Sequence, residues 1–334
     1  MKAVLRPTTE NDAPEVVSFL TPLLQRESLR PDLLRWKLWA PRDDYAEPRS
    51  YVLERNGRII AHAGIWPTTV RTVAGTVRGC HLFDWAADAR ALGAGVAIVQ
   101  RICEMFDFIY AIGGAQITQK IIPAIGFKQA GDAWSGARPL RPLRQALSHQ
   151  YKDWRMPARL VRNAMWSVIP TGMRPEGWEI QEGLDGGDGR SLSLDNLRSS
   201  GFLKYLQSCP TAQIRVFEIR KDDHNAGRFA LSLLHNQVRI AGLWLNNPSP
   251  ENLCVGYALA QQVARTMSDA FEITSTGSTP ESERAAVAAG FRIRKHTPIY
   301  LLSFKTGPLP AAFDFQMADT DAVFQSAGEP CYWT

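Results

Sequence analysis

Arg90, Gly93 and Gly95 set an Arg-x-x-Gly-x-Gly spacing just after the stretch His81-Leu-Phe-Asp-Trp-Ala-Ala-Asp. The residues before this spacing read as a β-strand and those after it as a helix, so the glycines fall in a strand-to-helix turn. Such a turn aims backbone N–H groups and the positive end of the helix dipole at one point, which makes an anion site. Glycine lets a phosphate approach the backbone closely, and Arg90 offers a charge-assisted hydrogen bond. Proton transfer beside the turn has three candidates: His81 and Asp84 on the strand that leads into it, and His62 on the neighbouring hairpin. A histidine needs only a small shift to act as a base near neutral pH, whereas an aspartate needs burial to raise its pKa. Alternation along a strand puts His81, Phe83 and Trp85 on one face and Leu82, Asp84 and Ala86 on the other. The pattern leaves open that the glycines only make a turn, that His81 is a core residue and that Asp84 forms a structural ion pair.

The elements that would position these groups follow from periodicity. Residues 2–6 read as a strand, a polar cluster at Thr9 to Pro14 as a helix start, and 16–24 as the helix. Residues 50–55 and 58–66 are β-rich runs joined by Asn56-Gly57, a hairpin signal. Residues 68–73 and 77–87 extend the sheet through a turn at Ala74-Gly75. A helix at 96–106, a buried strand at 108–112 and a helix at 117–125 ended by Gly126-Phe127 complete the first half. Residues 130–177 lack a clear period and read as a connector with one or two helices, an amphipathic one over 156–168. The second half repeats the order: helix 192–206, strands 214–219, 228–234 and 238–246, helix 251–267, strand 270–276 and helix 280–289 before Gly290-Phe291. This repeated order predicts an internal duplication.

With its flanks, Arg90-x-x-Gly93-x-Gly95 resembles the Q/R-x-x-G-x-G/A signature of the GNAT superfamily of N-acyltransferases. The opening Leu5-Arg6-Pro7 with Asn11-Asp12 is similar to that family as well. The resemblance covers residues 1–130 by motif and the second half by element order. It implies a mixed α/β fold of two tandem GNAT-like domains: 1–137 binding acyl-CoA, 138–177 a basic connector, 178–306 a degenerate second domain and 307–334 a C-terminal tail. It further implies that Arg90, Ala91, Leu92, Gly93, Ala94 and Gly95 hold the coenzyme A pyrophosphate. The strand edge of Phe83, Trp85 and Ala86 would pair with the pantetheine arm, and His81 or Asp84 would serve as base. Many members carry a tyrosine four residues before the Gly-Phe pair as general acid; Ile122 stands there in this sequence. The corresponding turn of the second half, Asn247-Pro-Ser-Pro-Glu-Asn, has two prolines where donors would be needed, so Ser249 or Asn252 is expected only to cap the helix. The resemblance points to transfer of an acetyl or other acyl group to an amine or hydroxyl, a sugar of bacterial surface polysaccharide being one acceptor. A FemABX-type aminoacyl transferase using aminoacyl-tRNA and a non-catalytic binding module are the alternatives.

Composition frames these readings. The chain has 334 residues, 45% hydrophobic and 21% charged, enough for two cores in a globular protein. Five unpatterned cysteines (Cys80, Cys103, Cys209, Cys254, Cys331) suggest neither a disulfide framework nor a metal site. No stretch approaches the roughly 20 apolar residues of a spanning helix, and a cytoplasmic protein is expected. The net charge is +5, yet residues 138–174 alone hold eight cations and one acid, Asp153. That strip reads as a solvated connector or as a contact for an anionic surface, including a tRNA backbone.

Overall fold

The computed structural model describes residues 3–24, 30–72, 75–113, 116–148, 154–169, 176–184, 199–303, 314–324 and 332–334. Lys2, Ala74, Lys152, Asp153, Arg174, Cys331 and residues 192–198 of the expected helix lie outside the described residues.

The first half runs β1 (Val4–Pro7), α1 (Ala13–Leu24), α2 (Pro31–Trp39), β2 (Ser50–Arg55), β3 (Arg58–Thr72), β4 (Gly75–Ala87), α3 (Ala94–Cys103), β5 (Phe108–Ile112), α4 (Gln116–Ala124) and β6 (Lys128–Pro139). Two helices follow, α5 (Pro142–Ser148) and α6 (Met156–Val168). The second half runs β7 (Trp178–Glu182), α7 (Ser200–Gln207), β8 (Gln213–Lys221), β9 (His224–Leu234), β10 (Gln237–Leu245), α8 (Pro250–Thr266), β11 (Glu272–Gly277), α9 (Pro280–Ala288) and β12 (Arg292–Ser303). Asn56 and Gly57 both take positive φ, as a tight hairpin requires.

The twelve strands of the described residues form one sheet in the order β1-β2-β3-β4-β5-β12-β6-β11-β10-β9-β8-β7. The order is symmetric about its middle. β5 runs parallel to β4 and β11 parallel to β10, each over three residue pairs. The middle is an exchange. β12, from the second half, lies antiparallel between β5 and β6, and β6 continues outward to pair with β11.

Residues 128–139 are therefore a central strand, although from 130 onward they fall in the stretch whose lack of period reads as connector. Glycines at 131 and 136 and the charged ends hide its alternation. Arg138 is wholly buried, against the expectation that the basic stretch lies at the surface. Its guanidinium donates to the carbonyls of Ala289 (2.9 Å) and Ile169, so helix-end oxygens offset the buried charge. Burial pulls its pKa down to about 10. Arg141 and Arg144 make similar bonds to the carbonyls of Arg265, Ala270 and Ser268 around the end of α8.

Much of the tail segment 314–324 is also interior. Phe315, Met317, Ala318, Val323 and Phe324 are buried. Trp66 and Tyr110 of the first half donate to the carbonyls of Ala318 (2.9 Å) and Asp319 (2.6 Å). Ser232 and Arg239 of the second donate to those of Val323 (2.7 Å) and Ala322 (2.6 Å). One core accordingly gathers Leu20 and Trp36 of the first half, Phe202 and Trp244 of the second, and Phe324 of the tail.

Both Gly-Phe pairs end a helix in the same way. Gly126 and Gly290 take φ of 100° and 89°, and the N–H of Phe127 and Phe291 reach back to Ile122 and Ala286. A Cβ at Gly126 would lie 3.5 Å from Leu302, whereas one at Gly290 would lie 1.9 Å from the Arg138 guanidinium. Gly126→Ala should cost about 1 kcal/mol from backbone strain alone. Gly290→Ala should cost about 3 kcal/mol or more, since the added methyl also displaces a buried cation from its carbonyls. Urea unfolding of the two variants beside wild type checks the difference.

Candidate functional site

β4 and β5 pair only from Gly79↔Phe108 to His81↔Tyr110, after which β4 runs on alone to Ala87. The divergence leaves residues 82–87 beside an opening in the sheet. β4 is bulged there, because its register with β3 slips between His62↔Ala86 and Gly64↔Phe83. Asp84 carries the bulge with φ of 44°, in the left-handed region that aspartate tolerates better than most residues.

The bulge overturns the expected alternation. Phe83 and Asp84 both face α2, where the Lys37 ammonium pairs with the Asp84 carboxylate and lies 5.0 Å from the Phe83 ring centre. Trp85 turns to the opposite face with Leu82, and its indole donates to the carbonyl of Gly95 (3.0 Å), pinning the first turn of α3 to the strand. Lys37 and Asp84 are shut away from solvent, with side chains 1% and 0% exposed. Asp84 thus sits in the structural ion pair that the sequence left open as its alternative.

His62 is fully buried in a relay with one direction. The Trp39 indole donates to Thr8 Oγ1 (2.9 Å), Thr8 to Ser50 Oγ (2.6 Å) and Ser50 to His62 Nε2 (3.0 Å). His62 Nδ1 then donates to the carbonyl of Asp84 (2.9 Å), so the relay holds the bulge. Burial lowers the His62 pKa and keeps the ring neutral.

His81 lies where the two strands part. Its Nδ1 donates to the carbonyl of Tyr110 (3.3 Å), which fixes the proton on Nδ1 and leaves the Nε2 lone pair as the basic one. Its pKa is lowered by burial, against a smaller opposing pull from Asp321 of the tail. Ile122 is a core residue packed beneath the first half, and the Tyr110 hydroxyl is committed to the tail carbonyl of Asp319.

The glycine turn leaves several N–H groups unpaired at the head of α3. Gly93 has φ of 79° and precedes α3, and a Cβ there would meet no protein atom within 4 Å. Asp88 Oδ1 takes the N–H of Arg90 (2.9 Å), and the carbonyls of Asp88 and Ala91 take those of Ala91 and Ala94. Among the described residues, the N–H groups of Leu92, Gly93, Gly95 and Val96 have no protein acceptor. The Leu92 side chain is 95% exposed, and Ala91 and Ala94 are anchored in the core, so the loop is held from below and open above. Arg90 is exposed beside it.

The symmetric place in the second half is filled. β10 and β11 part after Arg239↔Thr274 in the same way. The Gln316 side-chain amide then takes both backbone groups of Leu243, accepting its N–H (2.6 Å) and donating to its carbonyl (3.0 Å). Asp314 accepts the N–H groups of Ser278 (2.6 Å) and Thr279 (3.1 Å) at the head of α9. At the turn itself, Ser249 caps α8 by accepting the N–H of Asn252 (3.3 Å), as expected. The tail's role here had no local sequence signal, because Gln316 is recognisable only by what it touches.

No family model matches the sequence, and neither does any curated protein. Among solved structures, the chain is similar to a protein from Enterococcus faecalis V583 described as a probable N-acyltransferase (TM-score 0.59, 10% identity, 91% of this chain and 73% of that one). It is similar to a tandem GNAT protein from the clavulanic acid biosynthesis pathway (TM-score 0.53, 12% identity, 90% and 98%). It is also similar to Saccharomyces cerevisiae N-myristoyltransferase, solved with bound myristoyl-CoA (TM-score 0.52, 10% identity, 90% and 80%). At these identities the likeness is one of fold, and the fold is a mixed α/β arrangement of two tandem GNAT-like units.

Two outcomes follow from the buried groups. Lys37→Met should cost about 3–5 kcal/mol because it strands a buried carboxylate, and adding Asp84→Asn should recover part of that loss; denaturant midpoints of the single and double variants measure it. The lowered pKa of His81 places its stabilising contribution above the ordinary value of 6.5, to be lost as pH falls below it. His81→Asn, which keeps a donor for Tyr110, should reduce the acid-side slope of stability against pH by up to about 1.4 kcal/mol per unit.

Proposed function

We propose that the chain is an acyl-CoA-dependent acyltransferase with one coenzyme A site, in the unit formed by residues 1–137. The observation that carries this reading is the open cradle of N–H groups at Leu92, Gly93, Gly95 and Val96, placed at the end of a bulged strand that has parted from its neighbour. These residues fit a pyrophosphate, since unpaired N–H groups at a helix start attract anions and the missing Cβ of Gly93 leaves room for one. Arg90 adds a cation at the rim, and the edge of β4 at Phe83, Trp85 and Ala86, beyond its last pair with β5, would hydrogen-bond the pantetheine arm. The thioester supplies an activated acyl group when bound. The second unit, residues 178–306, has its own divergence closed by Gln316 and Asp314, which supports a single site per chain.

His81 is the base this reading favours. Its Nδ1 is tied to a carbonyl, burial keeps it neutral, and its Nε2 takes the proton of an incoming amine or hydroxyl as that group attacks the acyl carbon. Asp84, with Lys37, holds the shape of β4 rather than moving a proton. The acceptor is an amine or hydroxyl; a sugar of surface polysaccharide is supported by the family resemblance alone. A non-catalytic binding module gains from the loss of the family's tyrosine at Ile122, and the same experiment decides against it or for it.

Titration calorimetry with acetyl-CoA should give one site per chain, weakened at least tenfold by Gly93→Val while the fold is retained. Two sites, or one unaffected by Gly93→Val, would show that the cradle is misassigned, and tRNA binding without acetyl-CoA binding would favour the aminoacyl transferase. Thioester loss is then followed against amines and hydroxyls. His81→Asn should lower turnover by about a hundredfold or more with coenzyme A affinity unchanged. Wild-type turnover should fall on the acid side with a pKa below 6.5, because the base must be unprotonated.

A further inference from the structure

α6 turns an unbroken apolar face to solvent. At helical spacing, Val161, Met165 and Val168 line up on its outer side, and they are 60%, 67% and 76% exposed. The exposed Pro157, Ala158 and Ala164 flank them, and none of these carries a hydrogen-bonding side chain. The inward side carries Asn163 and Trp166, so the helix is laid with its polar positions partly inside and its apolar stripe outside. Trp154, 84% exposed, extends the stripe at the start of the helix, and α5 beside it exposes Leu143 and Leu147. A soluble protein rarely leaves so continuous an apolar strip without a partner.

Cations rim this strip. A shallow groove of about 600 Å³ runs along Val161, Met165, Trp166 and Ile169, and Arg162 and Arg292 line it too. Arg292 and Arg294 reach in from β12 and lie 4.2 and 5.1 Å from the Trp166 ring centre. Among the described residues, none of Arg162, Arg292 and Arg294 has a carboxylate at ion-pairing distance. Their guanidinium groups repel one another, which, after burial, helps to lower the pKa values of Arg162 and Arg294.

We infer that α6 and its arginine rim form a docking surface for an anionic lipid bilayer, on which the helix lies in the plane of the interface. Three features favour this occupant. An apolar stripe on a helix with arginines at its flank is the pattern of interfacial helices, whose apolar side enters the headgroup boundary while the cations meet anionic lipids. A second copy packed on this face about a two-fold axis would set the arginine cluster close to its own image, which like charge opposes. A protein partner ordinarily finds about one hydrogen bond per 100–200 Å² of contact, and the apolar stripe of Val161, Ala164, Met165 and Val168 offers none from its side chains, the arginines standing only at its rim, whereas the acyl boundary needs none. The surface stands on its own observations and does not depend on the acyl-transfer reading.

The test is sedimentation of the whole protein with vesicles of phosphatidylcholine, and with vesicles in which phosphatidylglycerol replaces part of it. Binding to the second kind only, weakened by added salt, is expected. Met165→Asp, at a largely exposed position of the stripe, should reduce binding about tenfold or more. Arg162→Gln should reduce it about fivefold and lessen its salt dependence. Thermal unfolding of each variant confirms the fold. No binding to the anionic vesicles, or binding indifferent to Met165→Asp, overturns the proposal. So does sedimentation velocity showing a dimer that Met165→Asp dissociates, which would assign the face to a second copy.

Discussion

β5 is held to β4 by three residue pairs before the two strands separate, and such a strand cannot stay in a sheet on that edge alone. Its other edge is closed by β12, the last strand among the described residues, which pairs with it from Ile299↔Ile112 to Ser303↔Phe108. β12 is in turn flanked by β6, and β6 by β11. Neither half therefore has a complete sheet of its own. The opening that exposes the edge of β4 exists because β5 is anchored from the far side, by hydrogen bonds to residues nearly two hundred positions later in the chain.

The same dependence recurs at the tail. Residues 314–324 take hydrogen bonds from Trp66 and Tyr110 of one half and from Ser232 and Arg239 of the other, and they bury Phe315, Met317 and Phe324 between them. One consequence is that the two related divergences are no longer equivalent. In the second, backbone groups freed by strand separation are satisfied by Gln316 and Asp314; in the first, the loop at the head of α3 keeps its donors free. Buried backbone groups must be paired, and in the second divergence the tail itself supplies the partners.

The buried polar groups of the first half work together on one short stretch. The relay from Trp39 to His62 ends on the carbonyl of Asp84, and Lys37 meets the carboxylate of the same residue. A bulge with a positive φ is a strained local choice, and these partners hold it in place. Lys37 also explains why α2 is hard to see in the sequence. A lysine in the middle of Leu-Leu-Arg-Trp-Lys-Leu-Trp breaks the apolar stripe by which a core-facing helix is found, yet it is among the most buried residues of that helix.

Local order was legible wherever one residue type forces one geometry. Asn56-Gly57 set the first hairpin, Gly126 and Gly290 ended their helices, Gly93 set the turn before α3, and the apolar run 108–112 became β5 as read. Periodicity placed α6 over 156–168 with equal accuracy. What it could not show was direction: the stripe of α6 is amphipathic by sequence, but that its apolar side faces out depends on Trp166 and Asn163 being taken inward. Likewise the spacing of His81, Phe83 and Asp84 fixed their order on β4, while a single extra residue at the bulge decided which of them share a face. The exchange of β6 and β12, the burial of Arg138 and the role of Gln316 were decided only in the folded chain. Each rests on hydrogen bonds between segments far apart in sequence, and no local pattern encodes which distant carbonyl or strand edge a group will meet.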